Sequence, residues 1–374
     1  MAYRIAAHNL ARMMPGRRLV DVAGAWAVPD MPHGTAGLAL AQRVTGLDRS
    51  GYERALYGDR TLVASYSVRC AMHVFPVRDL SVFMVGARPD DDDSIAASLL
   101  SYSKNIDAAG LTPTAAVELV ADVISRAVGD GAPTKGEVST AITSRLPDAL
   151  TPYCEGCGAP HVGDGLFRIA VLAGGFCFGR PRGRTITLVR TDNWLGRVRA
   201  PGRGESRTEL TRRFVRCFGP TRPDLFAAAL AITLREARRA WSRVAPELVE
   251  VRLEGKRAWM RAADLASLRR PSPAEGIRLL PPNDPFLQLR DRELLAPDVA
   301  LRKRMWRPTA NPGLVLVEGR PVALWRPEVR RRTLVARLEP IARLTKATVR
   351  EVSAAAAVHA PWRDCNDAEA VVAT

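Results

Sequence analysis

Residues 234–244 read Leu-Arg-Glu-Ala-Arg-Arg-Ala-Trp-Ser-Arg-Val, and at about 100° per residue a helix sorts them into two faces. Leu234, Ala237, Trp241 and Val244 fall on one side; Arg235, Arg238, Arg239, Ser242 and Arg243 occupy the opposite arc. A cylinder divided this way buries one side and offers cations on the other. The flanks extend the constraint. Residues 208–230 hold two shorter helical stretches, with Thr221 as the N-cap of the second in Gly219-Pro220-Thr221-Arg222-Pro223. Downstream, Leu248-Val249-Glu250-Val251-Arg252-Leu253, then Glu254-Gly255-Lys256, then Arg257-Ala258-Trp259-Met260 read as strand, turn, strand. Three helices closed by a hairpin make a winged helix, and its cationic third helix suits a polyanion. The competing reading is an amphipathic helix whose arginines face water.

A chain of 374 residues makes two or three domains at roughly 150 residues each. Its formal charge is +16, concentrated in the second half: residues 1–200 hold 22 basic against 19 acidic side chains, and 201–374 hold 33 against 20. The Arg-over-Lys bias, fifty to five, reflects base composition of the genome, but the surplus over acids favours nucleic acid. The chain has no apolar run of spanning length and no signal-type segment at its start, so a cytoplasmic protein without a membrane partner is expected. Six cysteines are too few for a disulfide scaffold.

Two earlier stretches repeat the pattern of helices closed by strands. In the first, residues 19–40 and 50–57 read as helix and 61–75 as a strand pair. In the second, 94–103, 113–128 and 135–145 read as helix, and 166–177 as a hairpin broken at Gly174-Gly175. Asp90 to Asp93 read as a solvated loop and helix cap rather than a metal site. From residue 273 onward, proline-punctuated short strands read as a small β-rich, barrel-like domain, with a terminal helix at 345–359 and frayed final residues. The expected class is α+β: winged-helix units over 1–88, 89–202 and 203–272, then a C-terminal β-barrel-like domain over 273–374.

Strict alternation through Ser65-Tyr66-Ser67-Val68-Arg69-Cys70-Ala71-Met72-His73 puts Ser67, Arg69 and His73 on one strand face, where they either track phosphates or line an ordinary half-exposed strand. Cys154-Glu155-Gly156-Cys157 with His161 offers three zinc-type ligands. A fourth is missing unless Cys177 folds back, so no metal or other cofactor is assigned. There is no GxSxG elbow, Walker loop or HExxH.

Several phrases together resemble the winged-helix family of AlkZ and YcaQ type DNA glycosylases. They are Arg60-Thr61-Leu62-Val63 leading to Arg69-Cys70-Ala71-Met72-His73, Lys135-Gly136-Glu137-Val138-Ser139-Thr140, the CxxC phrase, the run from Phe286 to Leu295, and Val315-Leu316-Val317-Glu318-Gly319-Arg320 leading to Trp325-Arg326. The resemblance covers nearly the whole chain. It implies three winged helices and a C-terminal β-barrel around a DNA channel, and excision of alkylated bases through a QxQ or QxD motif. Here that motif falls on Ala27-Val28-Pro29, and the first glutamine is Gln42. Asp30 stands where the family often has aspartate, and a carboxylate there can steer a water or stabilise an oxocarbenium ion. The expected protein is a monomeric binder of double-stranded DNA, damaged or intact, through Arg69, His73, Arg235, Arg238, Arg239 and Arg243. The alternatives are an active glycosylase using Asp30, or a transcription regulator.

Overall fold

The computed structural model describes residues 1–373 apart from 197, 199 and 200. Its contacts form two compact units, the first made of Met1–Ala55, Arg213–Thr221 and Glu247–Thr374, the second of Leu56–Arg212 and Arg222–Pro246. Both mix helices and sheets, as an α+β chain should. Residues 203–272 contribute to both: helices Pro223–Leu230 and Leu234–Val244 fall in the second unit, the hairpin Leu248–Leu253/Lys256–Arg261 in the first.

In the first unit a five-stranded sheet runs in the order Ile277–Leu280, Gly313–Val317, Arg320–Arg330, Thr333–Pro340, Asp367–Val372. The first three ladders are antiparallel and the last is parallel, Thr333 facing Asp367 and Leu338 facing Val372. Among the described residues the order is open, with Ile277–Leu280 and Asp367–Val372 at its ends, rather than closed into a barrel. The final residues expected to fray pair instead, because the helix Lys346–Ala356 packs Val352 and Ala356 on Leu279, Val315, Trp325 and Leu338 and returns the chain parallel to Thr333–Pro340. Gly313 is required there: a Cβ would lie 2.2 Å from Trp325 Nε1 and 2.3 Å from the Leu280 carbonyl, which that indole N–H reaches at 2.8 Å.

Two buried, bidentate ion pairs tie the N-terminal helices of this unit to the Asp284–Asp291 turn. Arg43 meets Asp284 at 2.7 and 2.8 Å, and Arg4 meets Asp291 at 2.6 and 2.8 Å. The helix expected over 19–40 is interrupted: Leu19–Ala25 and Thr35–Ala41 are helical, and Pro29, Pro32 and a left-handed Gly34 (φ 91°) break the stretch between them. Thr221 is not the cap of Pro223–Leu230. It exchanges two 2.8 Å backbone bonds with Trp259, and Pro223 at the first helical position, lacking an N–H, starts the helix instead.

The second unit holds a four-strand antiparallel arrangement in the order Met72–Pro76, Leu62–Tyr66, Phe176–Arg182, Thr185–Arg190. Helices Pro113–Val128 and Lys135–Thr143 form as read, each with a threonine cap, Thr112 and Thr134. The apolar run at 166–172, expected as a strand, is the inner part of the helix Asp164–Ala173, with Leu166, Phe167, Ile169, Ala170, Val171 and Leu172 all buried. A run covered on every side has no periodicity to separate helix from strand. The acidic run does cap a helix, since Asp91 accepts the Ser94 N–H at 3.0 Å to start Asp92–Leu99.

Candidate functional site

Asp30 lies in the break between two N-terminal helices and is fully buried. Its Oδ1 accepts the N–H groups of Gly34 at 2.8 Å and Ala36 at 3.0 Å, amides at the start of Thr35–Ala41 that the N-cap glycine has no side chain to satisfy. Its Oδ2 accepts from Nδ1 of His33 at 2.7 Å. The carboxylate expected to meet a water is thus occupied and covered, and the group beside it that reaches solvent is His33, with 38% of its side chain exposed. With Nδ1 donating, Nε2 carries the lone pair. The hydrogen bond to Asp30 raises the imidazole pKa above its ordinary 6.5 against the opposing effect of burial, with Glu53 adding to the rise. The sequence signal for this dyad is the Asp-x-x-His spacing followed by glycine, which a search for glutamines passes over.

The dyad's loop is held from the C-terminal part of the same unit. Asn283 Nδ2 donates to the Met31 carbonyl at 2.9 Å, and Asn311 Nδ2 donates to Asn283 Oδ1 at 3.4 Å. Beside these asparagines a cleft of about 100 Å³ is lined by Gln288, Arg290, Arg292 and Trp306, with the Arg292 guanidinium 4.9 Å over the Trp306 ring. A ligand pocket usually encloses about 300 Å³ or more, so this cleft suits a small anionic or planar fragment rather than a whole ligand.

In the second unit, the helix Leu234–Val244 has the two faces expected of it. Thr233 caps it, Ala237, Ala240, Trp241 and Val244 are buried, and Arg235, Arg238, Arg239, Ser242 and Arg243 are exposed. Leu234, assigned to the packed face, is 38% exposed instead, at the first position of the helix. Beneath the helix Glu236 and Arg207 form an ion pair at 2.7 Å with side chains 1% and 2% exposed. The cationic face is partly neutralised from within the chain: Arg235 reaches Asp93 at 2.6 Å and Asp91 at 3.4 Å, Arg239 reaches Asp91 at 2.7 Å, and Arg243 donates to the Gly204 carbonyl at 3.2 Å. Arg238 is exposed and has no ion pair among the described residues.

Arg69 and His73 do not share a strand face. Arg69 sits in the tight turn Val68–Cys70 with φ 56°, exposed, donating to the Ala228 carbonyl at 2.8 Å. His73 is buried on the strand Met72–Pro76 with Nδ1 bonded to the Ala71 carbonyl at 2.8 Å, and Ser67 is buried, donating to the Phe83 carbonyl at 2.6 Å. The turn between Tyr66 and Met72 resets the alternation that placed these residues together. Cys154, Cys157 and His161 do come together, their ligand atoms all within 4.8 Å of one another. Cys177 is not part of that group: it is buried in the sheet, where burial pushes its thiol up to about 12.

Comparison with known proteins places these features in a family. The fold matches that of the Streptomyces sahachiroi DNA glycosylase AlkZ with a TM-score of 0.77, over 100% of this chain and 98% of that one, at 21% identity. An interstrand DNA cross-link repair glycosylase of Streptomyces sahachiroi is 25% identical over 306 residues, spanning 78% of this chain and 76% of the relative. The family model described as DNA glycosylase AlkZ-like matches residues 27–362, and the chain belongs to that AlkZ-like DNA glycosylase family.

Proposed function

We propose that this protein is a monomeric binder of double-stranded DNA, working on cross-linked or otherwise damaged duplex, and that it does not carry out the glutamine-dependent base excision of its family. The observation that carries the reading is the exposed arc of Arg235, Arg238, Arg239 and Arg243 on one rigid helix whose other face is packed. Guanidinium groups at helical spacing suit phosphates along a groove wall, and the overall +16 charge adds long-range attraction. The winged-helix character of residues 1–88, 89–202 and 203–272, with the exposed Arg69 on the turn beside Pro223–Leu230 as a further contact, belongs to this reading. It is supported by the order of helices and closing hairpins. The role of the Streptomyces relative in interstrand cross-link repair supports the choice of substrate.

The glutamine chemistry has no residues to run on. Ala27, Val28 and Pro29 are apolar and buried, and Gln42, the first glutamine, spends its Oε1 accepting from the buried Leu279 N–H at 2.8 Å. One observation favours a second reading in which excision persists: the Asp30–His33 dyad presents an oriented imidazole that can act as the general base toward water. Incubation with alkylated and with cross-linked duplex, scored for abasic sites alongside a binding isotherm in rising salt, separates the two. Salt-sensitive binding without abasic sites is expected. Abasic sites that vanish with His33→Asn while affinity is kept would establish the second reading, and a protein that binds no duplex at low salt would overturn both.

A further inference from the structure

The strands Tyr153–Cys154 and Ala159–Pro160 form a two-stranded hairpin in which Tyr153 faces Pro160 and Cys154 faces Ala159. Its tip, Glu155-Gly156-Cys157-Gly158, is turned tightly. The N–H groups of Cys157 and Gly158 both bond the Cys154 carbonyl, at 3.2 and 2.8 Å, and Gly158 takes the left-handed conformation at φ 66°. The turn therefore brings Cys157 back over Cys154. Beyond the second strand, His161 is fixed from two sides. Its backbone N–H reaches the Pro152 carbonyl at 3.3 Å, and its Nδ1 donates to the Val162 carbonyl at 2.8 Å. A donating Nδ1 leaves Nε2 as the lone-pair nitrogen, and that atom is buried, with the thiol of Cys154 as its neighbour rather than any N–H or O–H donor. A thiol is a weak donor, and a buried acceptor left to one is poorly satisfied unless something else occupies its lone pair.

The geometry points to a zinc site formed by Cys154 Sγ, Cys157 Sγ and His161 Nε2, with the fourth position held by water. The donor set chooses the metal: two thiolates and an imidazole suit zinc and disfavour magnesium, calcium and manganese. The carbonyl bond to Nδ1 is the outer-shell contact that orients a ligating histidine. Ligand atoms at about 2.3 Å from a tetrahedral ion lie about 3.7 Å apart, so a cluster already within 4.8 Å closes on the ion by rotating thiols and without moving backbone. Cys157 is exposed, which leaves the remaining position open to solvent. The ion would staple the segment linking Lys135–Thr143 to Asp164–Ala173, a stretch with little apolar burial of its own, since positions 153–160 are exposed or half-exposed. It is independent of the DNA reading.

The full-length protein, purified reduced, is stripped with chelator, titrated with cobalt(II), and then challenged with zinc. One equivalent of cobalt giving a thiolate-to-metal charge-transfer band, displaced by zinc, is the expected result, together with one zinc per chain by elemental analysis of protein never exposed to chelator. Cys154→Ser and Cys157→Ser should each weaken zinc binding by at least about 100-fold, more than the loss of an outer-shell contact does. His161→Cys should retain the metal with a more intense band, which a merely structural effect of the substitution would not produce. Reduced wild-type protein with no charge-transfer band and no zinc overturns the site, as does undiminished binding in the Cys154→Ser, Cys157→Ser double variant.

Discussion

Asp30 divides its two carboxylate oxygens between different tasks: Oδ1 takes the amides of Gly34 and Ala36, and Oδ2 takes His33 Nδ1 at 2.7 Å. One acid therefore both starts a helix and orients an imidazole, and the two tasks can be separated by substitution.

Asp30→Asn keeps an acceptor for the amides but removes the anion beside His33, so the imidazole pKa should fall back toward 6.5 while the fold survives. Asp30→Ala removes both and leaves helix amides without partners, at about 1–3 kcal/mol each. Because the folded His33 pKa is raised, the pair's contribution to stability is complete below 6.5 and is lost as pH rises through the folded value. NMR titration of the His33 ring in wild type and Asp30→Asn checks the shift. Identical titrations would mean that Asp30 does not act on the ring.

Among the helix arginines, Arg238 should matter most per side chain for DNA, because its guanidinium has no acid to leave behind. Arg238→Ala should lower the salt slope of binding by about 0.9 for a duplex contact. Arg235→Ala and Arg239→Ala should change it less, since each is already paired with Asp91 or Asp93. Fluorescence anisotropy over a salt series ranks them, and equal slopes for all three would contradict the ranking.

Trp241→Ala removes a side chain that is 7% exposed and should cost about 3–5 kcal/mol. Glu236→Ala should cost up to about 3 kcal/mol, by removing the 2.7 Å partner of the buried Arg207 and leaving it the Asp90 carboxylate at 3.9 Å, whereas replacing both partners with apolar residues should cost less than the two single changes summed. Urea unfolding of wild type, Trp241→Ala, the two single variants of the pair and the double variant tests this. A Glu236→Ala variant as stable as wild type would show that the pair is not closed in solution.

The faces of Leu234–Val244 were legible because an isolated surface helix obeys its period, and the strands 248–261 because a glycine turn joins two short alternating runs. The helix at Asp164–Ala173 was not, since its inner residues are apolar on all sides. The surroundings of Asp30 were not legible either: an open carboxylate was expected, and the residue is buried with both oxygens occupied. Nothing local announces that the lone carboxylate at position 30 is consumed by amides four and six residues on, or that Asp91 and Asp93 fold onto arginines more than 140 positions away. Those are tertiary outcomes, as is the turn that separates Arg69 from His73.

Acid should destabilise the first unit before carboxylates are titrated fully. His359 is buried, with Nε2 donating to the Leu279 carbonyl at 2.9 Å, and burial lowers its pKa to about 3; His8 is lowered in the same direction for the same reason. The unfolded chain takes up these protons near 6.5 and the folded chain does not, so stability falls as pH drops from 6.5 toward 3. The loss is on the order of a few kcal/mol at about 1.4 kcal/mol per pKa unit. His359→Gln, which keeps a donor for Leu279, should flatten that limb of a melting-temperature profile; an unchanged limb would assign it elsewhere.

Asp91 is anchored by the Ser94 amide while it holds Arg235 and Arg239, so it cannot follow either arginine toward an incoming ligand. An anion at Arg235 or Arg239 must outcompete a carboxylate fixed in place. A lone phosphate or free nucleotide meets the same charge it would replace and gains little, whereas a polymer that presents several phosphates at once displaces the arginines together. On the proposed DNA-binding role, the acidic run at the start of Asp92–Leu99 would act as a discriminator, setting a minimum charge density for occupancy of the arginines it holds.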